Sequence, residues 1–118
     1  MKDDIGISIV LCTFNPDIAV FEQTISSLRT IVLPKDLPVE LIIVDNNSST
    51  PIETIPFVKA LRREFDRTKV IREQRQGLSF ARIAGIQAAN FSVIVFVDED
   101  NALDKDYLVN VRHCIAQY

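Results

Sequence analysis

Four stretches of the chain carry nearly unbroken apolar or β-branched residues: "GISIVLC" at 6–12, "VELIIV" at 39–44, "TKVIRE" at 68–73 and "SVIVFV" at 92–97. Each has strand length, and three are so uniformly apolar that cover on both faces is expected. Between them the apolar positions recur at helical intervals. After the first strand these are Ile18, Phe21, Ile25, Leu28 and Val32, with Asn15 and Pro16 offering a cap and a first-turn proline. Thr50-Pro51-Ile52-Glu53 has capping-box spacing, and Phe57, Leu61 and Phe65 continue a stripe that Pro56 must delay or kink. Ser79 can cap a third helix whose Ala81, Ala84, Gly85 and Ala88 form a small-residue face for close packing. Asp104 opens a fourth, with Tyr107 or Leu108, Val111 and Ile115 inward.

Strict strand–helix alternation predicts an α/β fold, a Rossmann-like parallel sheet with right-handed crossovers and helices on both faces. The expected strand order is 3-2-1-4. The gap between strands one and four is then the topological switch point, where open sheets of this kind bind ligands beyond the strand carboxyl ends. Three polar loops leave those ends: "CTFNPD", "VDNNSS" and "VDEDN". Thr13, Asp45, Asp98 and Asp100 are therefore expected on one rim.

Composition narrows the partners. The 118 residues are 47% hydrophobic and 25% charged, ordinary for one globular domain, with no repeat or linker. A net charge of −3 and a pI near 5.1 argue against nucleic acid, since no basic excess exists to neutralise phosphates. The one basic cluster, "RREFDRTK" at 62–69, reads as a solvated helix end and turn. No apolar run reaches the ~20 residues a membrane helix needs. Cys12 and Cys114 lack metal-site spacing and are expected as buried reduced thiols, which points to a cytoplasmic compartment. His113, the only histidine, is expected on a helix surface.

The consecutive acids Asp98, Glu99 and Asp100 need a reason, because crowded like charges repel unless a cation, a hydrogen-bonding ligand or water compensates them. Neither a glycine-rich dinucleotide fingerprint nor a P-loop is present, so neither usual phosphate cradle is available. Mg²⁺ or Mn²⁺ held by one or two carboxylates and substrate phosphates fits the acids, and solvated turn acids or helix caps remain the plain alternative. "DNNSS" after Asp45 is equally good turn chemistry.

The stretches "SIVLCTFNPD", "ELIIVDNNSST", "QGLSFARIAGI" and "VIVFVDEDNALDKDYL" together resemble, in order and spacing, the N-terminal nucleotide-binding half of a glycosyltransferase family 2 enzyme of the GT-A fold. The resemblance implies that Thr13 and Phe14 border the base and that Asp45 accepts a hydrogen bond from it. It also implies that Arg82 reaches the nucleotide, that Asp98 contacts the ribose or a metal-bound water and that Asp100 ligates Mn²⁺ or Mg²⁺. Gly77 admits the turn before the third helix. The implied ligand is a nucleotide-diphospho-sugar, with UDP the expected nucleotide. Two features depart from the family: Ile83 stands where asparagine is common after "AR", and the chain stops where the family continues into its acceptor half. Residues 1–118 are accordingly expected to bind donor without transferring sugar alone. Strand four, at 92–97, is then an apolar edge, and a homodimer joined there is expected.

Two other classes compete. A non-catalytic nucleotide-binding or oligomerisation module would keep this layer and nothing more. A haloacid-dehalogenase-like phosphatase also opens on an apolar strand running into D-x-D, with Asp98 as nucleophile, but it needs a lysine and further acids well downstream of Asp100. A receiver-type domain needs an acceptor Asp after strand three, where this chain reads "REQRQG".

Overall fold

A computed structural model describes residues 4–116. Strands β1 (Asp4–Thr13), β2 (Val39–Asp45), β3 (Thr68–Arg72) and β4 (Phe91–Asp98) alternate with helices α1 (Ile18–Arg29), α2 (Pro56–Glu64), α3 (Leu78–Ala88) and α4 (Tyr107–Ala116). The strands form one parallel sheet in the order β3-β2-β1-β4. This is the expected order, and it puts the switch point between β1 and β4. Register then aligns the strand ends: Thr13 pairs with Asp45, Asp45 with Arg72, and Cys12 with Asp98. Residues far apart in the chain thus form a row along one rim.

The larger core lies on one face. There Ile7, Ile9, Leu11, Leu41 and Ile43 meet Phe21, Ile25 and Leu28 of α1, Val58 and Leu61 of α2, and Leu108 of α4. On the other face Val10, Ile42 and Val44 pack against Ala81 and Ala89. Helix α3 can approach this closely because Gly85 has no side chain; a Cβ there would sit 2.3 Å from a Val10 methyl carbon. The small-residue face predicted from sequence is therefore a packing surface, with Ala81 and Gly85 buried.

Several local expectations are corrected. Helix α1 is capped by Asp17, whose Oδ1 accepts the Val20 N–H at 3.2 Å, while Asn15 takes a left-handed φ of 43° in the loop before it. Ile18 and Val32, the outer members of the predicted stripe, are exposed, and Ile31 is buried in place of Val32. The capping-box segment forms only a 3₁₀ turn, Ile52–Thr54, and α2 begins at Pro56. Proline has no N–H to donate, so it suits a first helical position and resets the start there. Gly77, not Ser79, precedes α3, and α4 starts at Tyr107, one turn after Asp104. Cys12 is half-buried and Cys114 exposed, not two buried thiols. Strand β4 is not covered on both faces: Phe96 is 42% exposed, because α3 lies over β1 and β2.

At the amino end of the sheet, away from the rim, Glu40 is a buried carboxylate. It accepts the Ser8 hydroxyl at 2.6 Å, the Asn90 N–H at 2.6 Å and the Asn90 side-chain amide at 3.0 Å, and Lys69 Nζ stands 3.7 Å away. Burial by itself raises its pKa, but the Ser8 and Asn90 donors and the Lys69 charge together outweigh it and hold the group below its ordinary 4.5. This cluster joins β1, β2, β3 and the α3–β4 connection. Among the described residues no helix is long and apolar enough to cross a membrane.

Candidate functional site

The rim at the strand carboxyl ends divides into a loop scaffold and a cleft. Asp45, 2% exposed, belongs to the scaffold. Its Oδ1 accepts the Ser48 N–H at 2.9 Å; its Oδ2 accepts the Ile52 N–H at 3.0 Å and Arg72 Nη1 at 3.0 Å. Arg72 also donates Nη2 to the Asn47 side-chain oxygen and the Ser48 carbonyl. Asn47 has a φ of 67°, a left-handed turn position that asparagine tolerates better than most residues. Asn15 joins this loop to the one after β1: its N–H donates to Ser48 Oγ, and its side-chain oxygen accepts the Ser49 N–H. The Asp45 carboxylate thus faces its own loop and Arg72, and it does not line the cleft. A base contact was expected of it.

Asn46, adjacent to Asp45, holds the far wall. Its Nδ2 donates to the Glu73 and Arg75 carbonyls at 3.1 and 2.7 Å, and its Oδ1 accepts the Gly77 N–H at 3.0 Å. The β3–α3 loop is therefore sewn to the end of β2. Gly77 turns at a φ of 134°, a value that side chains disfavour, and this fits the turn role given to it from sequence.

Between these walls lies an open cleft of about 220 Å³, with Thr13, Phe14, Asn46, Gln76, Gly77, Leu78 and Glu99 among its lining residues. Phe14 is 44% exposed, so part of its ring is open to a stacking partner in the cleft. Thr13 is buried beneath it.

The acid triplet resolves by direction. Asn101 N–H donates to the Asp98 carbonyl at 3.2 Å and closes a turn over residues 98–101. Asp98 and Asp100 are exposed, while Glu99 is half-buried and points the other way. Its Oε2 accepts the Thr13 hydroxyl and, at 3.2 Å, the Phe14 N–H, and its carbonyl accepts the Thr24 hydroxyl at 2.8 Å. Two carboxylates reach solvent and the third is bound by donors, so water and hydrogen bonds separate the three acids. Among the described residues, no three or more His, Cys, Asp or Glu side chains gather into a metal-holding group.

Arg82 lies outside the cleft lining, with its guanidinium 5.3 Å from the centre of the Phe96 ring. Nearby, burial pushes the Cys12 thiol up to about 11; Arg82 lowers it and Asp98 raises it. Burial thus favours the thiol over the thiolate that a nucleophile needs.

Thr13, Asp45, Asp98 and Asp100 meet on one rim as the strand reading expected, with Phe14 next to Thr13 and Arg82 against Phe96. Sequence reasoning missed Asn46, Arg72, Gln76 and the inward role of Glu99. Arg72 left a signal, a cation ending β3 two strands from Thr13. Asn46 left only its place directly after a strand.

Against known proteins, a family profile described as "Glycosyl transferase family 2" matches residues 8–111. "Putative glycosyltransferase EpsH" of Bacillus subtilis (strain 168) is 29% identical over 103 residues, which cover 86% of this chain and 28% of that protein. Among solved structures, S. aureus TarS 1–349 in complex with UDP-GlcNAc superposes with a TM-score of 0.78 at 22% identity. That match covers 96% of this chain and 32% of the other. The mannosyltransferase PcManGT from Pyrobaculum calidifontis, in complex with GDP-Man and Mn²⁺, gives 0.78 at 20% identity, covering 96% and 33%. The fold is that of these GT-A enzymes, and the chain spans about a third or less of their lengths.

Proposed function

The chain belongs to glycosyltransferase family 2, and from that premise we propose that residues 1–118 form the donor-binding layer of a nucleotide-sugar-dependent glycosyltransferase. The observation that supports this most is the pairing, across one hydrogen-bonded turn, of a cleft with an open aromatic wall and two solvent-facing carboxylates. At about 220 Å³ the cleft is smaller than the ~300–1,000 Å³ of an enclosed ligand site. It suits the base and ribose, leaving the diphosphate over the acid turn.

In this reading the base stacks on Phe14 above Thr13, with the side-chain amide of Gln76 beside it, and UDP is the nucleotide. Asp45 serves by holding the loop walls. Asp98 and Asp100 fit a hard divalent ion, Mn²⁺ or Mg²⁺: they are two oxygen donors open to water, and such ions commonly combine one or two carboxylates with substrate phosphates. The ion would supply charge neutralisation for the diphosphate leaving group. Asp100 is assigned as direct ligand and Asp98 to the ribose or a metal-bound water. Arg82 would have to leave Phe96 to reach the nucleotide. TarS with UDP-GlcNAc and PcManGT with GDP-Man and Mn²⁺ support the ligand class. The free thiols Cys12 and Cys114 suit the cytoplasmic setting we propose.

The test is thermal unfolding with UDP and Mn²⁺. A ligand at a hundred times its Kd stabilises by about 2.7 kcal/mol. We expect an upward shift for the wild type and little for Asp100→Asn. Equal shifts would remove Asp100 as ligand.

A homodimer joined through β4 is part of the proposal. Among the described residues the strand has no outer partner, and Phe96 is exposed on it. Sedimentation at rising concentration is expected to show dimer, reduced by Phe96→Lys; monomer throughout would refute it.

A further inference from the structure

We infer that Glu99 is a positioning residue that couples the base end of the cleft to the metal end; this rests on the donor-binding reading above. Three consecutive acids could all face solvent, yet only the outer two do. Glu99 crosses to β1 and takes both the Thr13 hydroxyl and the Phe14 N–H on one oxygen. The Thr24 hydroxyl holds its backbone carbonyl at 2.8 Å. The same turn is closed by Asn101 N–H on the Asp98 carbonyl, so the directions of Asp98 and Asp100 are set by a loop anchored on Thr13, Phe14 and Thr24.

Two consequences follow. A base that stacks on Phe14 stiffens the segment Glu99 holds, and with it the acids that would meet a diphosphate-bound ion; ordering one end lowers the entropy lost at the other. The hydrogen bonds also hold a third negative charge away from the phosphate path, where it would repel the diphosphate or compete with it for the ion. A glutamate that merely tied two loops together would affect stability without linking the two halves of a ligand. Length matters as well as charge, since an aspartate here would be one methylene short of Thr13.

The experiment measures binding of uridine, of UDP and of Mn²⁺ to the 118-residue chain by calorimetry, each nucleotide with and without the ion. Wild type is expected to bind uridine, which carries no phosphate to bridge to the ion, about tenfold tighter with Mn²⁺ present. In Glu99→Ala that linkage is expected to fall below about twofold. Glu99→Gln, whose amide oxygen can take the place of Oε2 and accept both the Thr13 hydroxyl and the Phe14 N–H, should restore most of it; Glu99→Asp should not. Unaltered linkage in Glu99→Ala overturns the coupling while leaving the donor site standing. A wild type that takes up neither uridine nor UDP overturns both. Hydrogen exchange without ligand separates the two: the Phe14 amide should exchange about tenfold faster in Glu99→Ala than in wild type. Equal rates refute the latch whatever the chain binds.

Discussion

In urea, an Asp45→Ala chain is expected to lose about 3 kcal/mol of unfolding free energy, from two buried amides left unpaired at roughly 1–3 kcal/mol each. Those amides are Ser48 N–H and Ile52 N–H, in residues only 1% exposed. The Arg72 guanidinium adds less, because its side chain is 39% exposed and water can take over its bonds. In a domain whose total stability is about 5–15 kcal/mol this is a large fraction. Asp45→Asn should fall between, since its amide NH₂ meets an N–H donor wherever it is turned. The experiment separates two roles for one residue. A carboxylate kept free for a base would leave ligand-free stability unchanged on substitution, whereas one that builds the loop lowers the midpoint before any nucleotide is added. A variant unfolding at the wild-type urea midpoint would defeat the scaffold assignment.

Glu40→Ala should cost about 2–3 kcal/mol, because it strips partners from the buried Ser8 hydroxyl and the Asn90 N–H. Its pH dependence is the sharper readout. The folded carboxyl titrates below its ordinary 4.5, so above that value the charged form adds its full contribution to stability. As pH falls from there through the folded value, the native state takes up a proton it resisted, and the contribution is lost. Wild-type stability should therefore decline below pH 4.5 more steeply than that of Glu40→Gln, which carries no titrating group there. Parallel curves would show that Glu40 adds no pH-dependent stability. Since Glu40 pairs with Ser8 near the amino end of the sheet, neither variant should change nucleotide affinity in the folded protein.

Much of this architecture was legible in the string because its determinants are local. β-Branched runs bounded by turn residues marked all four strands, and their alternation with helical spacing implied the 3-2-1-4 order found. The small-residue run at Ala81, Ala84, Gly85 and Ala88 forecast the close approach that Gly85 permits over Val10. Where local signals competed, the string misled: Asn15-Pro16 looked like a helix start, yet Asp17 caps the helix while Asn15 bridges to Ser48 and Ser49.

By itself, then, the order of residues determined the layer, its strand order and the rim on which Thr13, Asp45, Asp98 and Asp100 assemble. Backbone periodicity and apolar patterning act within a few residues and need no distant partner. Only the tertiary structure decided where each carboxylate points. Asp45 turns to Arg72, 27 positions on, and Glu99 reaches back 86 positions to Thr13. An acid takes the donors that folding brings within hydrogen-bond reach, and those donors sit on other strands, whose nearness no local pattern encodes.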